Sequence, residues 1–170
     1  ATRRIIKHYK TIIQADDSLT LARTLDDVDT AIKTGRIPIW YDLEDSRPLD
    51  GKLENVSELY DLGVRTMGLT YNRLNAAGSG CLDEDDIGLT SYGRDIVREM
   101  NRIGMVVDAA HCSPNSGFDM FETSAQPVIY SHTAMRSIWD TERGITDEQA
   151  IACAETGGVI GVCGVSIFLA

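Results

Sequence analysis

Short apolar segments alternate with helical patterns from Ile37 onward, and this rhythm limits the fold more than any other feature of the sequence. Five segments are typical of buried strands: IPIWYDLE, VRTMGLTY, MVVDAAH, PVIYSH and GVIGVCGVSIF. Four segments between them predict helices: LENVSELYDLG, TSYGRDIVREMNRIG, NSGFDMFETS and TDEQAIACAETG. Strands this apolar are typical of a parallel sheet covered on both faces. The sequence therefore predicts an α/β fold, either a (β/α)8 barrel or an open doubly wound sheet.

Two further helices are predicted before the first of these strands. Ile5, Ile6, Tyr9, Ile12 and Ile13 repeat at helical spacing, so the chain is expected to open on an amphipathic helix. The segment TLDDVDTAIKTG follows it, with a threonine suited to the N-cap, two aspartates in the first turn and a glycine at the end. At 170 residues, a single domain spanning 1–170 is the simplest expectation.

The composition excludes several classes of function. A net charge of −10 argues against nucleic-acid binding, which needs a basic surface. No apolar run approaches the roughly 20 residues that span a bilayer, and residues 1–9 do not resemble a signal peptide. No glycine-rich nucleotide-binding motif follows a strand, and the four cysteines lack the C-x-x-C spacing of a zinc knuckle. We therefore expect reduced cysteines, a cytoplasmic location and no membrane span.

Polar side chains fall at the C-terminal ends of four different strands. These residues are Glu44, Tyr71, His111 and His132. In a barrel such strand ends converge on one face, where active sites lie. Two histidines and a glutamate are a plausible zinc set, because catalytic zinc takes such ligands and leaves a position open for water. The alternative is that both histidines are buried, hydrogen-bonded and structural.

Other polar residues near these strand ends have more than one interpretation. Asp108 is either a ligand or a partner that holds a neighbouring imidazole. Arg136 and Arg143 follow the last histidine, and one of them could bind a substrate carboxylate through two hydrogen bonds, although a surface position is favoured for Arg136. His8, on the first helix, is interpreted as a surface or packing residue. The acidic run DEDD at 83–86 is expected to be a solvated loop.

The segment GLTSYGRDIVREMNRIGMVVDAAH, with PVIYSHTAMRSIWDTERGITDEQ and the flanking sequence from Ile37 to Gly164, resembles the renal or membrane dipeptidase family of zinc metallopeptidases. The resemblance implies a (β/α)8 barrel with two zinc ions at the strand ends. It also implies that the substrate is a small dipeptide, which zinc-activated water hydrolyses. It implies that Glu44 bridges both metals, that His111 and His132 complete one metal site, and that Arg143 binds the substrate carboxylate.

The sequence departs from this family in two respects. Tyr71 stands where the family usually carries a histidine that contacts the reacting carbonyl, and its phenol could donate a hydrogen bond to the oxyanion. The family's first-strand His-x-Asp motif and last-strand aspartate are absent, so the chain resembles strands three to seven of the barrel, an internal fragment.

A fragment of this kind leads to further expectations. Its edge strands, IPIWYDLE and GVIGVCGV, should be open and covered by missing chain or by a second copy in a homodimer. The isolated chain should be inactive as a dipeptidase. Two alternatives stay open: a non-catalytic fragment or pseudo-enzyme, and a related amidohydrolase that acts on another small amide.

Overall fold

The computed structural model describes residues 1–166 and shows an α/β fold in which helices and strands alternate. In the described residues the helices are α1 (Thr2–Ala15), α2 (Leu25–Lys33), α3 (Asn55–Leu62), α4 (Ser91–Ile103), α5 (Pro114–Thr123) and α6 (Asp147–Glu155). The strands are β1 (Leu19–Leu21), β2 (Ile37–Ile39), β3 (Tyr41–Leu43), β4 (Val64–Gly68), β5 (Val106–Asp108), β6 (Val128–Thr133) and β7 (Ile160–Val162).

The central element is a parallel five-stranded sheet in the order β3-β4-β5-β6-β7. Sequential order of parallel strands is the order of a barrel wall. Helices α3, α4, α5 and α6 also pack against one another in sequence. The predicted α/β fold is therefore confirmed, and within residues 1–166 the sheet does not close into a barrel.

The two faces of this sheet differ. Toward the helices, side chains such as Val107, Val128 and Tyr130 are buried in the hydrophobic core. On the other face, Val106, Ile129 and Val159 line an open apolar cavity of about 730 Å³. Helices thus cover one face of the sheet, and within residues 1–166 the other face lines this open cavity.

The first predicted strand, IPIWYDLE, is wrong as a single strand. The structure divides it at Trp40: β2 pairs in parallel with β1, and β3 forms the edge of the large sheet. Strand β1 was not predicted, because three residues are too short to show a strand pattern. The last predicted strand is described only at β7, and its residues 167 and 168 lie outside the described part of the chain.

The helix ends follow the predicted signals. Thr24 and Thr146 each accept a hydrogen bond in a capping box, and Thr90 caps α4. Gly104 ends α4 with a φ of 81°, a left-handed conformation that suits glycine. Among residues 1–166, no helix is both long enough and apolar enough to cross a membrane.

Helix α1 buries only part of its apolar surface. Ile6 and Ile13 face the core, whereas Ile5, Tyr9 and Ile12 are about half exposed. The predicted amphipathic helix is therefore present, with a second apolar stripe that faces solvent.

Candidate active site

Three potential metal ligands meet at the C-terminal end of the five-stranded sheet. Glu44 follows β3, His111 lies just beyond β5, and His132 is the next-to-last residue of β6. One ligand atom from each residue lies within 4.8 Å of the others. The Nε2 atoms of His111 and His132 are 2.9 Å apart, and His132 Nε2 lies 3.8 Å from Glu44 Oε1. The strand ends thus bring together the three residues that the sequence singles out as ligands.

This donor set fits a divalent metal such as zinc. Ligands of one tetrahedral zinc ion lie about 2.0–2.2 Å from it and therefore about 3.4 Å from each other. The separations of 2.9 and 3.8 Å bracket this value. Neutral imidazole and carboxylate are also the ligand types that catalytic zinc takes. That these residues bind a metal nevertheless stays a prediction, whereas their convergence is a property of the fold.

A tight turn aims the His111 side chain at this site. Strand β5 ends at Asp108, whose Oδ1 accepts a hydrogen bond of 3.0 Å from the amide of Ala110. His111 itself has a φ of 66°, in the left-handed region that few non-glycine residues adopt. Its carbonyl accepts a 2.9 Å hydrogen bond from the amide of Cys81. Backbone strain at a residue of this kind is often associated with function.

The loop after β4 supplies two neighbours of His111. Tyr71 stacks on the imidazole with ring centroids 4.1 Å apart, and Asn72 Oδ1 lies 2.7 Å from His111 Nδ1. This loop passes close to Gly80, where a Cβ would lie 2.3 Å from the Asn72 carbonyl carbon, so the approach requires glycine. Asn72 was not predicted from sequence, since only its position next to Tyr71 marks it.

His132 has its own hydrogen-bonded support. Ser131 Oγ lies 2.8 Å from His132 Nδ1, and the same hydroxyl donates a short hydrogen bond to Asp108 Oδ2. Asp108 is almost completely buried, and its closest partners are backbone amides and Ser131. Of the two interpretations open for Asp108, the structure favours a partner that supports an imidazole. Ser131 was missed, because a serine beside a histidine carries no signal by itself.

The electrostatic environment keeps His111 neutral. Burial, together with the positive charge of Arg143 and the neighbouring His132, lowers the pKa of His111 from 6.5 to about 3. A neutral imidazole has a lone pair available for a metal at any pH above this value. The site is therefore ready to accept a cation without first releasing a proton from His111.

Acidic side chains from β3, the residue after it and β5 lie close together near the site. Burial raises the pKa of Asp42 from 3.8 to about 6, and the nearby carboxylates of Asp108 and Glu44 add to this effect. Solvent still reaches the Asp42 side chain, so its burial is incomplete. A bound divalent cation would offset this repulsion.

The two candidate arginines have different surroundings. Arg143 is buried and its Nη2 donates a 2.9 Å hydrogen bond to the carbonyl of His132, which places it beside the candidate ligands. Arg136 instead forms a 3.1 Å surface ion pair with Asp140. Of the two arginines, Arg143 therefore lies beside the candidate ligands, whereas Arg136 is paired on the surface. His8 is exposed on α1 and does not belong to the cluster of candidate ligands.

The acidic run at 83–86 is more ordered than the solvated loop that the sequence predicts. Asp86 accepts hydrogen bonds from the Ser113 hydroxyl and the Asn115 amide, and Asp83 accepts one from the Gly80 amide. These bonds fix the loop between β4 and α4 against the start of α5. In the described chain none of the four cysteines forms a disulfide, and Cys112 and Cys153 are buried.

The chain is similar in sequence to a known protein family and to known proteins. A family model described as membrane dipeptidase, peptidase family M19, matches residues 1–170. An uncharacterized dipeptidase of Schizosaccharomyces pombe is 32% identical over 166 residues, which cover 95% of this chain and 38% of that protein.

Two solved structures share the fold. An amidohydrolase from Pseudomonas aeruginosa is 29% identical, with a TM-score of 0.89 over 92% of this chain and 48% of that one. A metallo peptidase from Rhodobacter sphaeroides, solved with a phosphinate mimic of the dipeptide L-Ala-D-Ala, is 24% identical, with a TM-score of 0.85 over 91% of this chain and 46% of that one. At that identity the second likeness bears on the fold alone.

This chain spans less than half the length of each of these three proteins. The family match nevertheless extends over all of its residues. Its fold matches the two solved structures over more than nine tenths of its length. The chain therefore belongs to the membrane dipeptidase family, peptidase family M19.

Proposed function

We propose that the protein that contains this chain hydrolyses dipeptides with the aid of zinc, and that Glu44, His111 and His132 are zinc ligands. The observation that carries the proposal is the meeting of these three side chains, from three different strands, within 4.8 Å. A histidine with a purely structural role does not require a second histidine and a glutamate within this distance. The family of the chain and the dipeptidase name of its yeast relative support the same reaction.

Each residue of the site has a role in this proposal. When bound, zinc would lower the pKa of water and polarise the scissile carbonyl. Arg143, held against the His132 carbonyl, would orient the C-terminal carboxylate of the dipeptide. Tyr71 has a partly exposed ring that stacks on His111. Its phenolic hydroxyl would donate a hydrogen bond to the carbonyl oxygen as negative charge develops there.

The activity is proposed for the whole protein rather than for these 170 residues alone. The chain covers 38% of its yeast relative and contains no His-x-Asp motif, so the remaining ligands of a binuclear site would come from other segments. The open apolar face of the sheet would lack its cover in the isolated chain. We therefore expect the isolated 170 residues to be inactive.

The test is hydrolysis of dipeptides by the intact gene product, measured by mass spectrometry of the released amino acids. L-Ala-D-Ala is the first substrate to assay, because a mimic of it occupies the Rhodobacter sphaeroides enzyme. Removal of metal with a chelator should abolish hydrolysis, and addition of zinc should restore it. His132→Gln removes a metal ligand, so it should reduce the rate by more than the roughly 10- to 100-fold loss that is typical when only a residue supporting a ligand is removed.

The matched control is His8→Gln, which makes the same substitution at an exposed histidine on α1. It should leave the rate unchanged. Full activity of His132→Gln, or hydrolysis that resists the chelator, would contradict the proposed zinc site. Zinc binding without hydrolysis of any dipeptide would instead retain the site and reject the reaction.

A further inference from the structure

We infer that Asp108 acts through Ser131 to fix the proton of His132 on Nδ1, which leaves Nε2 as the nitrogen that can bind a metal. The two residues are positioning residues, since neither reaches the metal-binding atoms. The inference deepens the proposed function, because it explains how one of the candidate ligands is prepared. It rests on a hydrogen-bonded chain from Asp108 through Ser131 to His132.

The orientation of the Asp108 carboxylate is fixed by the backbone. Its Oδ1 accepts two hydrogen bonds of 3.0 Å, one from the amide of Ala110 and one from the amide of Ser131. Its Oδ2 accepts the hydroxyl of Ser131. Asp108 is 1% exposed, so water does not compete for these positions. The Ser131 hydroxyl therefore donates its one proton to Asp108.

The direction of the next hydrogen bond follows from this donation. A hydroxyl has one proton to donate and two lone pairs with which to accept. Because the Ser131 proton points to Asp108, the contact of 2.8 Å with His132 Nδ1 requires the imidazole to donate. The proton of a neutral His132 therefore resides on Nδ1, and the lone pair resides on Nε2.

That lone pair lies on the side where the other ligands are. His132 Nε2 is 2.9 Å from His111 Nε2 and 3.8 Å from Glu44 Oε1. An imidazole with its proton on Nε2 could not bind a metal there, because a protonated nitrogen has no lone pair to offer. The hydrogen bond at the far ring nitrogen commonly sets which nitrogen is metallated.

Replacement of Asp108 by asparagine should reverse the chain. The two backbone amides both donate, so they require the amide oxygen of the new side chain. Its NH2 group must then face Ser131 and donate to the serine oxygen. The Ser131 hydroxyl turns to donate to His132 Nδ1, and the histidine proton moves to Nε2. A substitution that nearly preserves shape should thus remove the metal-binding lone pair.

The experiment measures the His132 tautomer in the metal-free intact gene product, with ¹⁵N-labelled histidine and NMR. The His132 signals are assigned by their loss in His132→Gln. In the wild-type protein we expect the proton on Nδ1, and in Asp108→Asn we expect it on Nε2. A zinc titration against a chromophoric chelator should show about a 10- to 100-fold weaker affinity for Asp108→Asn.

Two further variants keep the test decisive. Ser131→Ala removes the hydroxyl alone, so the Nε2-protonated form should increase and zinc affinity should fall, even where Asp108→Asn fails to fold. Asp86→Asn is the matched control. Asp86 also accepts a serine hydroxyl, from Ser113, and a backbone amide, from Asn115, but it touches neither candidate histidine ligand. Its substitution should leave the tautomer and the zinc affinity unchanged.

A proton on Nε2 of His132 in the wild-type protein would overturn the inference. An unchanged tautomer in a folded Asp108→Asn protein, or in Ser131→Ala, would also overturn it. Because the tautomer is measured without metal, a wild-type protein that binds no zinc would reject the proposed function and still decide this inference.

Discussion

Acidification should destabilise the metal-free protein through His111. Burial, the charge of Arg143 and the neighbouring His132 lower the pKa of this imidazole to about 3 in the folded state, against 6.5 for an unperturbed histidine. As the pH falls below 6.5, the unfolded chain binds a proton that the folded state does not. The contribution of His111 is thus fully present above pH 6.5 and is lost progressively as the pH falls toward 3.

The size of this loss follows from the two pKa values. Each unit of pH between them changes the free energy of unfolding by about 1.4 kcal/mol. Between pH 7.5 and pH 5 the interval below 6.5 is about 1.5 units, so His111 alone should remove about 2 kcal/mol. His111 is 8% exposed, so solvent screens this effect only weakly.

The assay is urea unfolding at pH 7.5 and pH 5 in the presence of a chelator, for the wild-type protein and His111→Asn. Asparagine tolerates the left-handed backbone at this position and can donate to Asn72, so it removes the titration while it disturbs the turn little. Subtraction of the two pH profiles isolates His111, because the other titrating groups are common to both proteins.

The wild-type protein should lose about 2 kcal/mol more than His111→Asn between the two pH values. Parallel profiles for the two proteins would refute the reasoning, since they would show that the folded state binds the His111 proton as readily as the unfolded state does.

Three other substitutions test neighbouring parts of the structure. Arg143→Met should raise the pKa of His111, because it removes a positive charge that opposes protonation, and NMR titration of the imidazole measures the change. Tyr130→Phe should lower the free energy of unfolding by about 1–3 kcal/mol in urea, since it leaves the buried Gln149 amide without its 3.0 Å acceptor. Asp42→Asn should raise the urea midpoint at pH 7.5 but not at pH 3.5. The pKa of Asp42 is raised in the folded state, so its ionised form destabilises the fold only at pH values above 3.8, the pKa of this carboxyl in the unfolded chain.

Much of the fold could be predicted because the sequence marks both strand cores and helix ends. The apolar run before Asp108 and the capping threonine at 146 are local signals, and the structure contains the strand and the helix that they predict. The break at Trp40 is not local. It depends on which partner each half of the segment pairs with, and the apolar character continues through the break.

The candidate site divides in the same way. Glu44, His111 and His132 could be selected because parallel strands end at one edge of a sheet, so polar residues at those ends must meet. Asn72 could not be selected, since its contact with His111 crosses 39 residues and depends on the close passage of its loop over Gly80. Ser131 precedes a histidine in the sequence, but its role depends on the carboxylate that lies 23 residues earlier.

The most direct test of the account is a crystal structure of the intact gene product with zinc, with diffraction measured on both sides of the zinc absorption edge. We expect an anomalous peak about 2.0–2.2 Å from the Nε2 atoms of His111 and His132 and from a carboxylate oxygen of Glu44. The absence of zinc beside these three side chains at a saturating zinc concentration would contradict it.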